Sequence, residues 1–178
     1  MGEIFHVGAL VPAAIGTCCI AADRRWVRAP ELLASLIMLT AMLDVMFWSV
    51  IAPVFWSAVL IAFALLMVAV RGLACGARNG PRSARMMGAH SALGMVVMAV
   101  IVMAMAPAGS PVELSAGVHQ HASTAVSYLT FCVAIAVGYG GWSLATAMHR
   151  HGRFSRLARL EISAMGVSTA IMGAALIL

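Results

Sequence analysis

Eleven arginines and no lysine supply the basic charge of this chain, and they fall in only three of the connections between six apolar stretches. The stretches cover residues 4–22, 32–52, 54–70, 90–106, 124–148 and 160–178. Arg24, Arg25 and Arg28 lie between the first and second. Arg71, Arg78, Arg82 and Arg85 lie between the third and fourth, and Arg150, Arg153, Arg156 and Arg159 between or beside the fifth and sixth. The other connections and both ends carry none. Cytoplasmic loops of membrane proteins concentrate Lys and Arg, so alternate connections face the cytoplasm and both termini face away from it. Five or seven helices would break the alternation.

The composition agrees with this reading. The chain is 63% hydrophobic and 10% charged, against roughly 25% charged in a soluble domain. Lipid solvates such a surface and water does not. In hydrocarbon the backbone must bond to itself, and the period-2 alternation of a membrane β-barrel is missing, so the stretches are helices. The 178 residues hold about six spans of roughly 20 residues with short connections. The expectation is all-α: an integral membrane bundle of six transmembrane helices, one domain over residues 1–178, in the cell membrane. The first stretch lacks the positive leader of a signal peptide, because only Met1, Gly2 and Glu3 precede it. It is therefore expected to remain as a helix.

Ile51-Ala52-Pro53 is the tightest connection. Pro53 suits the first position of a helix, where its missing N–H leaves nothing unpaired. Helices 2 and 3 should form an antiparallel hairpin with Trp48 and Trp56 at the outer interface, and Trp26 and Trp142 near the inner one. None of Cys18, Cys19, Cys75 and Cys132 is expected outside, which argues against a disulfide framework. On helix 6, Gly166, Ala170 and Gly173 form a small-residue stripe. It packs the helix within the bundle or against a second copy of the chain.

Three groups of residues carry chemistry. Methionine is frequent, with 14 in the chain. Met38, Met42 and Met46 share one face of helix 2. Met87, Met95, Met98 and Met105 fall within about 80° of one another on helix 4, with His90 about 60° to one side of Met87. Thioether and imidazole suit Cu(I), and flexible thioethers also fill gaps in apolar cores. Histidine is the second group. His6, His119 and His121 are expected at the outer side, where they would capture a metal ion together with the nearby Asp44, Met103, Met105, Glu3 and Glu113. His90, His149 and His151 are expected at the inner interface beside arginines. Bis-histidine haem ligation needs two histidines at matching depth on facing helices, and these histidines sit at helix ends, which disfavours haem.

Asp44 is the third. It is expected as the one carboxylate well inside a span, away from the Met face. There it needs an interior position, a partner such as Ser127 or Tyr128, or a proton. No phosphate-binding loop, zinc-protease motif or nucleophile elbow occurs, so an enzyme is not indicated. The arginines follow topology rather than one face, which excludes a nucleic-acid partner. The partners implied are the lipid bilayer, a metal ion, and a second copy or a larger membrane complex.

The run Arg85-Met86-Met87-Gly88-Ala89-His90-Ser91-Ala92-Leu93-Gly94-Met95-Val96-Val97-Met98 and the segment Met42-Leu43-Asp44-Val45-Met46 resemble a family of small actinobacterial multi-pass membrane proteins. That family is catalogued as a domain of unknown function. In it a histidine at the start of a helix precedes spaced methionines. The resemblance covers helices 2 to 4 and excludes His119 and His121. It implies a lineage and a Met/His pattern, without an activity. Three functions are compatible with the sequence: copper binding through Met and His, a non-catalytic subunit of a membrane complex, and proton-coupled transport of a small solute through Asp44.

Overall fold

The computed structural model describes residues 2–22, 29–74, 82–105, 121–149 and 155–177. They form six α-helices: α1 (Gly2–Ala22), α2 (Ala29–Leu43), α3 (Pro53–Ala74), α4 (Arg82–Ala104), α5 (His121–His149) and α6 (Arg156–Ala175). Each covers most of one stretch marked by the sequence. Four helical segments among the described residues are long and apolar enough to cross a membrane: Ala29–Trp48, Pro53–Gly72, Met86–Ala104 and Ser127–His149. Val7–Ala22 is a shorter apolar helix. α6 is not among the four. Arg156, Arg159 and Glu161 in its first turns lower its hydropathy.

α4 is the hub. It touches α2, α3, α5 and α6, and two thirds of its apolar segment is buried. α1 packs along α6 and α2, and α5 along α6. α3 packs chiefly on α4 and leaves Phe55, Leu65, Leu66 and Val68 exposed. In a bilayer such residues face lipid at no cost.

With no hydrophobic drive between helices in lipid, close packing and interhelical hydrogen bonds hold the bundle. Nearly every major contact carries a hydroxyl bond. Thr17 Oγ1 on α1 lies 2.6 Å from Ser35 Oγ on α2. Ser57 Oγ on α3 donates to the Ala99 carbonyl on α4 at 3.0 Å. Ser168 Oγ on α6 donates to the Ala9 carbonyl on α1 at 2.8 Å. The Tyr139 hydroxyl on α5 meets His90 on α4.

The small-residue stripe of α6 packs within the bundle. Gly166 lies against Gly140 and Ser143 of α5, and Gly173 against Ala136. A side chain on Gly140 would meet the Gly166 carbonyl at 2.8 Å, so the two backbones touch. Arg159 Nε donates to the Ala147 carbonyl at 2.8 Å and ties the start of α6 to the last turns of α5.

Pro53 begins α3, as its ring favours. α2 ends differently from the expectation of a continuous helix. Asp44–Trp48 form a single π-helical turn, and Ser49 follows in the left-handed region at φ 47°. The wider turn breaks the 100° count beyond Leu43. Two further carboxylates are buried besides Asp44, both near helix starts. Glu31 on α2 is paired with Arg71 on α3 at 2.7 Å, and Glu161 lies on α6. Cys18, Cys19 and Cys132 are free thiols. Cys75 and Trp26 lie outside the described residues.

Candidate functional site

The methionine faces of α2 and α4 belong to one core, except Met87, which packs separately against Ala147, Ala158 and Ile162. Met38, Met42, Met95 and Met98 are buried in the same apolar cluster with Met67, Met165 and Met172. Met46 and Met105 are partly buried and pack against its edge. Within this core Met38 and Met42, one turn apart on α2, and Met165 on α6 border a narrow cleft of about 10 Å³. Ala13, Ser35, Leu39, Ser168 and Thr169 complete its walls. The wall hydroxyls are already committed. Thr17 donates to the Ala13 carbonyl at 2.9 Å, so Ser35 donates to Thr17. Ser168 donates to the Ala9 carbonyl and Thr169 to the Met165 carbonyl. The hydroxyl protons are spent on these bonds, and the thioethers are the soft donor atoms in the walls.

Met165 was not singled out from the sequence. The glycines beside it on α6 drew attention to packing, and only the contact of α6 with α1 shows which core Met165 enters. Gly16 on α1 faces this part of α6: a β-carbon there would touch Ala164 and Met165 at ordinary contact distance, 3.6 and 3.8 Å.

His90, expected at the inner interface, is enclosed by neighbouring helices. Only 4% of it is exposed. Its Nε2 lies 3.1 Å from the Tyr139 hydroxyl, and its ring packs between Tyr139 and Trp142 with centroids 5.1 Å from each. Gly94, one turn on along α4, makes room for the phenol: a β-carbon there would sit 2.6 Å from the Tyr139 oxygen. His90 Nδ1 is buried and has no hydrogen-bond partner. His149 is exposed at the end of α5.

Asp44 closes the hairpin. Its Oδ2 accepts from Trp56 Nε1 at 2.7 Å and from the Ile51 amide at 3.0 Å, and its Oδ1 accepts from the Val50 amide at 3.2 Å. These are its bonding partners, in place of the Ser127 or Tyr128 expected from the sequence. The π-helical turn swings the carboxylate over the turn that follows α2, where three donors meet it. The sequence signal was present in the tight connection and the flanking tryptophans.

His6 stands on α1 and His121 opens α5. Their side chains, and all of His119 and Glu113, lie outside the described residues, so the outer metal patch does too. Met103 is exposed on α4. Among the described residues no three His, Cys, Asp or Glu side chains come together as a metal-ligand group. Comparison with protein-family models, with curated proteins and with solved structures finds no match for this chain.

Proposed function

We propose that this chain is a six-span protein of the cell membrane, with both termini on the non-cytoplasmic side, that binds Cu(I) among methionine side chains inside the bundle. One observation carries the copper reading: thioethers from two helices, Met38, Met42 and Met165, line a single cleft whose hydroxyls are bonded elsewhere. A soft monovalent cation suits neutral sulfur donors in an apolar wall, and a hard divalent ion does not. Met95 and Met98 in the same core extend the sulfur-rich interior, and His6, His119 and His121 capture the ion outside. The six-span topology is supported by the arginine distribution, by six helices over the six stretches, and by the antiparallel pairing of α1 with α6, Gly16 beside Met165 and Ala9 beside Ser168, which puts their arginine-flanked ends on one side.

Metal analysis of the full chain, purified under reducing conditions and loaded with Cu(I), tests the reading. X-ray absorption should show sulfur scatterers. Met38→Leu with Met42→Leu and Met165→Leu keeps the volume and should remove the sulfur-only component. Absence of stoichiometric copper in the native chain, or unchanged sulfur coordination in the triple variant, overturns it.

A further inference from the structure

His90 holds a nitrogen that the bundle leaves unused. The Tyr139 hydroxyl has one proton and two acceptors in reach, His90 Nε2 at 3.1 Å and the His90 carbonyl at 3.3 Å. If the proton goes to Nε2, the neutral ring carries its own proton on Nδ1, and that N–H is buried with no acceptor. If the proton goes to the carbonyl, Nε2–H donates to the phenol oxygen and Nδ1 is a bare lone pair. In the second tautomer the buried atom is a ligand donor, and the hydrogen bond at the other nitrogen fixes the ring for that role.

The surroundings suit a soft monovalent ion. Met87, three residues earlier on α4, is a neighbour of His90 on the helix surface. Met87 is buried and packs toward α5 and α6 against Ala147, Ala158 and Ile162, on the side where His90 meets Tyr139 and Trp142. The Arg71 guanidinium overlies Gly88, roughly 160° around α4 from His90, and is paired with Glu31. Arg159 lies on the α5 side, where its Nε is held by the carbonyl of Ala147.

We propose that His90 Nδ1 and the Met87 thioether form a second Cu(I) site on the α5-facing side of α4. Cu(I) accepts low coordination numbers and this pair of donors. The ion adds to a lone pair, so no proton leaves the ring and no electron is transferred. This site shares no ligand with the cleft of Met38, Met42 and Met165 and stands or falls apart from it.

Trp142, whose ring is 5.1 Å from His90, supplies the readout. The full chain in detergent is titrated anaerobically with Cu(I) buffered by a chromophoric chelator, and tryptophan emission is followed. One equivalent should quench the Trp142 component, which Trp142→Phe identifies, and X-ray absorption should show one nitrogen scatterer beside sulfur. His90→Gln and Met87→Leu should each weaken this binding at least tenfold and abolish the quench. Met87→Leu conserves volume and covers the case in which His90→Gln fails to fold. The triple leucine variant of the cleft should keep the quench and the nitrogen scatterer. The proposal is overturned if Cu(I) leaves Trp142 emission unchanged, if both His90→Gln and Met87→Leu bind like the native chain, or if the triple variant loses the quench.

Discussion

The Trp56 indole donates to the Asp44 carboxylate at 2.7 Å, joining the end of α2 to the first turn of α3. The same carboxylate receives the Val50 and Ile51 amides. An intramembrane carboxylate invites a transport role, yet here both oxygens are engaged in closing a turn.

Asp44→Ala should therefore lower the unfolding midpoint of the purified chain, and Trp56→Phe should lower it less. The double variant should fall short of the sum, because both substitutions break one shared bond. Asp44→Asn keeps one carbonyl oxygen for the indole and should lie between native and Asp44→Ala. Thermal unfolding in detergent gives all four values. Additive losses would mean that the bond at 2.7 Å contributes nothing.

Gly94→Ala places a methyl group 2.6 Å from the Tyr139 oxygen. Overpacking of this kind costs about 1–3 kcal/mol. Tyr139→Phe removes the oxygen, so the alanine should be better tolerated in that background than in the native one. Equal penalties in both backgrounds would show that the phenol does not define the space beside Gly94.

Arg71→Ala leaves Glu31 buried without its cation. The loss should be about 3 kcal/mol, the low end for breaking a buried pair, since the Arg71 side chain keeps 28% of its surface exposed. Glu31→Gln combined with Arg71→Gln should recover part of it, because neither partner is then left as a lone charge. Chemical denaturation of the three variants in one detergent measures the difference.

The topology predicts opposite labelling at two positions. In a chain stripped of its native cysteines, Ser110→Cys should react with a membrane-impermeant maleimide in intact cells. Ser83→Cys should react only after permeabilisation. Labelling of both from one side would refute the six-span arrangement.

The helices were legible in the sequence because apolar length and arginine placement are properties of single segments. Pro53 marked the start of α3 for the same reason. The sites were less legible because each depends on which helix lies opposite. His90 stands eight residues inside α4 and beside arginines in sequence, which read as interfacial. It is buried because α5 brings Tyr139 and Trp142 across it. Met165 borders the cleft because α6 packs along α1. Asp44 was visible as an anomaly, but its partners depended on a π-helical turn that helical counting at 100° per residue does not anticipate.

The contact between α5 and α6 bears on how the chain reaches its final state. α6 begins with Arg156, Arg159 and Glu161 and partitions poorly from water into lipid by itself. Its glycines press on α5, and Arg159 bonds a carbonyl near the end of α5. On the six-span proposal, α5, synthesised first, offers the surface against which its successor inserts. On that proposal α6 is a dependent passenger in membrane integration, and a bulky residue at Gly140 or Gly166 should act on biogenesis, leaving the sixth helix stranded outside the bilayer.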